Sequence, residues 1–209
     1  MRFPRSLLLA LTASTLFVSA TQAQTPASAP DAMVRDLSNE VLNAIKADKA
    51  LKSGDANRVQ KLVDEKVLPH TDFQKMTQLS VGPGWRNATP EQRAALTREF
   101  RTLLVRTYSG ALSQVSDHKV ELRPFRAQPN DTDVIVRTQV VASRGDPIQL
   151  DYRLEKTDGG WKIYDINILG VWLVENYKSQ FSSQVNAGGV DGLIKTLTER
   201  NSQLAQKKA

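Results

Sequence analysis

WKIYDINILGVWLVENYKSQF, residues 161–181, is the stretch on which the fold turns. It opens as a strand, breaks at Gly170 and resumes as an amphipathic helix. Trp161, Ile163, Ile166 and Ile168 are aromatic or β-branched, side chains that suit a pleated, buried surface. Apolar groups on both faces predict a central strand with layers on either side. Gly170 can adopt backbone angles closed to other residues, as an abrupt strand exit requires. Beyond it Val174, Tyr177, Phe181 and Val185 recur at spacings of three and four, one side of a helix reaching about Ala187.

Upstream, the period is two. Val120–Phe125 reads as a strand, and in 133–143 Val134, Val136 and Val140 oppose Arg137 and Gln139. Ile148, Leu150, Tyr152 and Leu154 alternate with Gln149, Asp151, Arg153 and Glu155, so one face is apolar and the other wet. Thr157-Asp158-Gly159-Gly160 is a hairpin connection into the Trp161 strand. Earlier still the period is helical. Val34, Leu37, Val41 and Ile45 mark one helix, and Val59, Leu62, Val63 and Val67 mark a second, capped by Asp55 and stopped by Pro69. Thr71-Asp72-Phe73-Gln74 has the capping-box pattern, which predicts a third helix with Phe73, Met76 and Leu79 on one side, ending at Gly82-Pro83-Gly84. Thr89-Pro90-Glu91-Gln92 starts a long helix running to about Val115. Its apolar stripe holds Leu96, Phe100, Leu103, Leu104, Tyr108, Ala111, Leu112 and Val115, while Arg93, Arg98, Arg101 and Arg106 decorate other faces. Gly188-Gly189 ends the penultimate helix, and Leu193, Ile194, Leu197 and Leu204 mark the last. Helices followed by four antiparallel strands predict an α+β domain, a twisted sheet with the helices wrapped over one face.

Composition narrows the function. The chain has 209 residues and a charged fraction of 24%, ordinary for a soluble globular domain. It has no cysteine, which removes disulfides, thiol nucleophiles and cysteine–zinc sites together. Residues 1–23 have the order of a secretory signal peptide: Arg2 and Arg5, an apolar run from Leu7 to Val18, and small residues at Ala20 and Ala23 for cleavage. Residues 24–32 read as a disordered leader, 33–205 as a single domain and 206–209 as a frayed tail. The net charge is +6, and loss of Arg2 and Arg5 leaves +4. That excess is spread along the chain, and the aromatic residues fall on apolar faces, a pattern against nucleic-acid binding.

Reactive constellations are missing. His70 and His118 lie far apart and in no metal-ligand spacing, so no metal site is expected. No G-x-S-x-G elbow is present, and the Gly82-Pro83-Gly84 turn lacks the lysine and hydroxyl residues of a phosphate loop. Asp165 is the one provocative acid: inside an apolar strand it would have a raised pKa and could act as a base. The alternative is a carboxylate satisfied by arginine or backbone N–H groups. Asp131 and Asp133 flank a turn and read as solvated.

Tyr164-Asp165-Ile166, Gly170-Val171, Asn176-Tyr177 and Gln180-Phe181 together resemble the closing signature of the MlaC, or toluene-tolerance, family. Asp72-Phe73, Met76, Gly84-Trp85-Arg86, Ala88-Thr89-Pro90, Gln92, Phe100, Leu104 and Tyr108 resemble its first block, and Gly189-Val190-Asp191-Gly192-Leu193 its last. The resemblance covers nearly all of the chain beyond residue 23. It implies a non-enzymatic, periplasmic phospholipid carrier of an ABC-type intermembrane transport system, with acyl tails in an apolar pocket between sheet and helices. It also implies a monomer without a cofactor, and membrane contact made transiently through partners. Those partners would be an outer-membrane MlaA-type lipoprotein with its porin and an inner-membrane MlaD-type protein carrying an MCE domain. On that fold, facing selects a pocket wall of Phe100, Leu103, Leu104 and Tyr108 on the long helix. Opposite them stand Val134, Val136, Val140, Leu150, Tyr152, Ile163 and Ile166, with Val171, Val174 and Tyr177 nearby. Ordinary core packing is the alternative for each. Trp172 departs from the small polar residue of some members. A hopanoid ligand, an enzyme of the related cone-shaped fold using Asp165, and a protein-binding chaperone or adaptor are the rival readings.

Overall fold

The computed structural model describes residues 29–206 except 116 and 129. The expected signal peptide, most of the leader and residues 207–209 of the tail lie outside the described residues. Helix α1 (Pro30–Ala47) begins inside the stretch expected as leader, with proline in its first turn and Asp31 beside the positive end of its dipole. Short helices α2 (Lys49–Lys52) and α3 (Ala56–Leu62) follow, and the Asp55 carboxylate caps α3 by accepting from Arg58 N at 2.8 Å.

The second helical run does not continue as α-helix to Pro69. It relaxes into a π segment, Val63–Val67, then a 3₁₀ turn, Leu68–His70, that contains the proline. Helix α4 (Phe73–Val81) is capped by Asp72, which accepts from Lys75 N; Thr71, expected as the cap, instead donates its hydroxyl to Val67 O at 2.9 Å. After the short α5 (Gly84–Asn87), α6 (Pro90–Tyr108) carries the expected capping box: Thr89 Oγ1 accepts from Gln92 N and Gln92 Oε1 from Thr89 N. The long helix does not stay α-helical to Val115. From Ser109 it tightens into a 3₁₀ turn ending at Gln114, where Ser109-Gly110 are poor helix formers.

Among the described residues the sheet has five strands in an antiparallel meander, one more than expected. They are β1 (Lys119–Leu122), β2 (Asp133–Val141), β3 (Ile148–Thr157), β4 (Gly160–Ile168) and β5 (Val171–Trp172). Strand β4 is therefore second from an edge, not central. Its outer side is shielded by β5, through Asn167 and Ile168, and by a parallel bridge from Thr71 to Ile163, where Asp72 N donates to Ile163 O at 2.8 Å. Covering an open edge in this way removes a template for aggregation. Gly170 (φ 88°) and the preceding Leu169 (φ 52°) make a tight reversal into β5, and the helix expected directly after Gly170 starts only at Leu173. Helix α7 (Leu173–Gln206) is bent at Gly189, whose φ of 66° and ψ of −169° are not helical, so Gly188-Gly189 divides it.

A β-bulge sets the facing. Leu154 pairs with Ile163, but Tyr152 pairs with Ile166, so β4 carries one extra residue. Ile163 and Ile166, three apart, therefore share the apolar face with Leu150, Tyr152, Leu154, Val134 and Val136. The opposite face carries Arg137, Asp151, Arg153, Asp165 and Asn167, of which the last is paired with Trp172.

Three apolar clusters hold the layers. Met33, Val34 and Leu37 of α1 cover Val134, Val136, Tyr152, Leu154 and Ile163. Helices α4, α6 and α7 join through Met76, Leu96, Phe100, Leu103, Tyr177, Phe181 and Leu193, with the Phe100 ring 4.9 Å from Tyr177 and 5.1 Å from Phe181. The third cluster, Ile45, Leu51, Val59, Leu62 and Val105, ties α1–α3 to α6.

Candidate functional site

Where the second and third clusters meet β4, the side chains do not fill the space. A cavity of about 240 Å³ remains there. Its walls are Val59, Leu62, Val63, Val67 and Leu68 from α3 and the π and 3₁₀ turns, Phe73 and Met76 from α4, and Leu104, Val105 and Tyr108 from α6. Val41 of α1, Ile166 and Ile168 of β4, and Leu173 at the start of α7 complete it, with Leu112 behind. Arg101, Thr71 and Ser109 are its polar members besides the Tyr108 phenol, and among the described residues no acid, histidine or lysine lines it. Burial raises the Tyr108 pKa, so the phenol stays neutral near pH 7. Such a wall can enclose hydrocarbon; it has no acid–base pair to move a proton. A depression of about 530 Å³ beside α2 and α3 is different, being lined by Asp48, Lys49, Arg58, Lys61, Glu65 and Lys66.

Of the residues selected by facing, Leu104, Tyr108 and Ile166 stand in the cavity wall. Phe100, Leu103, Val174 and Tyr177 are buried in the α4–α6–α7 cluster. Val134, Val136, Tyr152 and Ile163 lie under α1, where the Tyr152 hydroxyl stands 3.4 Å from Ser38 Oγ. Burial pushes the Tyr152 phenol up to about 12. Leu150 packs at the margin of that cluster, and Val140 is half-buried opposite Val120 and Ile148. Val171, on β5, is 50% exposed and so far from being enclosed.

The structure also adds wall residues that facing did not select. Val59, Leu62, Val63 and Val67 were legible as a helical stripe, and Phe73 and Met76 as one side of α4, but nothing local says that they border a void. Arg101 carried a signal that its charge concealed. It precedes Leu104, Val105 and Tyr108 by three, four and seven residues, and so shares their side of α6.

Asp165 is fully buried. Its Oδ1 accepts from Ile166 N at 2.8 Å and from Val174 N at 3.0 Å, and its Oδ2 from Arg153 Nη1 at 3.0 Å. Desolvation raises its pKa, while those hydrogen bonds and the Arg153 charge oppose the shift. Arg153 in turn lies over the Trp172 ring at 4.1 Å. The carboxylate thus joins β4, the first turn of α7 and, through Arg153, Trp172. It lies on the sheet face opposite the cavity wall.

Among the described residues no cluster of His, Asp or Glu is placed to hold a metal, and no helix is long and apolar enough to cross a membrane. The family model described as "MlaC protein" matches residues 35–199. The intermembrane phospholipid transport system binding protein MlaC of Haemophilus influenzae is 22% identical over 179 residues, 84% of each chain. The toluene tolerance protein ttg2D of Pseudomonas putida is 24% identical over 205 residues, 98% of this chain and 92% of that one. Among solved structures, the phospholipid-binding protein of Ralstonia solanacearum in complex with a phospholipid aligns with a TM-score of 0.82. It is 47% identical, covering 85% of this chain and 99% of the other.

Proposed function

Because this chain belongs to the MlaC family, we propose that it is a phospholipid carrier that encloses acyl tails in the cavity between β4, α6 and the π segment. The observation that carries this is the largely apolar lining of that cavity, together with a relative of 47% identity that holds a phospholipid. The same relative favours a phospholipid over a hopanoid as ligand.

The energetics give such a carrier its reason. At ~0.8 kcal/mol per methylene exposed, a long acyl chain costs on the order of 10 kcal/mol in water. A methylene fills about the ~30 Å³ of a liquid water, so a cavity of 240 Å³ takes about eight methylenes and recovers ~6 kcal/mol. A full tail needs more room. The π and 3₁₀ turns at Val63–His70 are the part of the wall least held by regular α-helical hydrogen bonds, and they are where it would widen.

In this reading the protein works in the periplasm as the soluble part of an ABC-type system. It would exchange lipid with an MlaA-type lipoprotein and porin at the outer membrane and with an MlaD-type MCE-domain protein at the inner. Asp165 serves as a structural acceptor and not as a base, and no cofactor takes part. Native mass spectrometry of detergent-free protein, with extraction of bound lipid, is the test. A stoichiometric phospholipid supports the carrier. A folded protein that arrives empty and takes nothing from vesicles refutes it.

A further inference from the structure

The apolar cavity shares part of its wall with a groove that carries three arginines. Leu68, Phe73 and Arg101 line both the cavity and a neighbouring groove of about 530 Å³ that runs along α6 past Arg98 to Arg93. Among the described residues lining that groove, these three arginines are the charged groups and none is acidic. They are not equivalent. Arg93 is fixed against the protein, donating to Trp85 O at 3.2 Å and to Arg86 O at 3.4 Å, with its guanidinium 5.5 Å from the Trp85 ring. Arg98 is exposed and pairs with its neighbour Glu99 at 3.3 Å. Arg101 stands at the boundary. Its Nη1 lies 3.2 Å from Asp64, while its Nε is buried with no hydrogen-bond partner.

A buried guanidinium donor without an acceptor is an exception that calls for an occupant. We propose that Arg101 anchors the phosphodiester of the bound phospholipid, with the tails in the cavity and the headgroup in the arginine groove. This rests on the carrier reading above. In a phospholipid the phosphate lies one glycerol unit from the tails, so with the tails enclosed it must sit at the polar limit of the cavity, where Arg101 stands. The planar guanidinium matches phosphate oxygens in a two-point geometry that an ammonium lacks.

Asp64 is the competitor for this site. It belongs to the π segment, whose Val63 and Val67 form the cavity wall. A phosphate arriving at Arg101 repels the Asp64 carboxylate and loosens the ion pair between that wall and α6, which uncovers Nε and widens the cavity together. Headgroup capture and tail entry are thereby coupled. Arg98, beyond Arg101, adds a further cation to the groove, which favours a phospholipid of net negative charge, such as one with a neutral glycerol head, over one whose head carries an ammonium.

The test compares lipids with the same tails and different heads. Wild type, Arg101→Gln, Arg101→Lys and Asp64→Asn are incubated with phosphatidylcholine vesicles carrying either dioleoylphosphatidylglycerol or dioleoylglycerol, and protein-bound lipid is quantified by mass spectrometry. Wild type should prefer the phosphatidylglycerol. Arg101→Gln should lower its uptake about tenfold or more, the loss of a hydrogen bond to a charged group, and leave dioleoylglycerol uptake unchanged. Arg101→Lys should fall between, and Asp64→Asn should keep or raise phosphatidylglycerol uptake. An unchanged preference in Arg101→Gln overturns the site. So does an equal loss of both lipids in Arg101→Gln and Asp64→Asn, which would make the pair only a structural latch. Competition by soluble glycerophosphoglycerol that depends on Arg101 would make a free phosphodiester the occupant and overturn the lipid assignment. Uptake of none of the lipids by the wild type, the matrix phosphatidylcholine included, sinks the carrier reading and this site with it. Diacylglycerol uptake that persists without a preference sinks the site alone.

Discussion

Leu103 and Leu104 are neighbours on α6 with opposite surroundings, and substitution there separates a cavity from a core. Leu103 is fully buried against α4 and α7, whereas Leu104 lines the cavity. Leu104→Trp adds about six heavy atoms directed into the void, the room of about four methylenes. At ~0.8 kcal/mol each, that removes ~3 kcal/mol of tail burial, about a hundredfold in lipid affinity. Because the void of about 240 Å³ can take the ring, the protein should keep its cooperative unfolding within about 1 kcal/mol. Leu103→Ala should do the reverse, costing about 2–5 kcal/mol of stability by opening a hole in packed core while leaving the cavity wall intact. The assay pairs urea denaturation with mass spectrometry of lipid retained after incubation with phosphatidylglycerol vesicles. Full lipid stoichiometry in folded Leu104→Trp would refute the assignment of this void as the tail site. Equal destabilisation by both substitutions would show that Leu104 faces no void at all.

Four further outcomes follow from the framework. Asp165→Ala leaves Ile166 N, Val174 N and Arg153 without their acceptor, and should cost about 3 kcal/mol in a chemical melt; a loss below about 0.5 kcal/mol would contradict its role as a joint. Burial raises the folded pKa of Asp165 above 3.8, so the stability linked to its proton is present below that pH and lost as pH rises through the folded value. Asp165→Asn should therefore remove a downward slope of stability in weak acid, and melts of both proteins across that range would reveal an unchanged slope. Gly84→Ala would place a Cβ 2.9 Å from Val185 Cγ1, costing about 1–3 kcal/mol, and Val185→Ala should restore part of that loss in a double-mutant cycle. Thr89→Ala breaks the capping box of α6 and should lower stability by about 1 kcal/mol, with little change in lipid uptake.

The local physics of the chain was legible without the fold. The Thr89–Gln92 capping box, the Asp55 cap, the alternation of β3 and the break at Gly188-Gly189 depend on residues within a few positions of one another. For such features the sequence contains both partners. The same holds for the α+β class, because helical and strand periods are properties of each segment. The missed cap at Asp72 shows the limit: Thr71 had the same chemistry, but its hydroxyl was drawn back to Val67 and its backbone into a bridge with Ile163.

What tertiary structure alone decided is where facing becomes enclosure. Strict alternation would put Ile163 and Ile166 on opposite faces; the bulge in β4, set by pairing with β3, turns both to the apolar side. The apolar groups read on both faces of β4 suggested a central strand, but pairing with β5 and the Thr71 bridge place it near an edge. Periodicity likewise put Leu103 and Leu104 in one stripe, and could not divide packed core from cavity wall. A void exists where side chains from several distant elements fail to fill a shared volume, and no single element contains that information. Arg101 belongs to the same class of fact. Its charge reads as a solvated face along the chain, and only the convergence of α6 with the π segment places it in the lining of both the apolar cavity and the neighbouring groove.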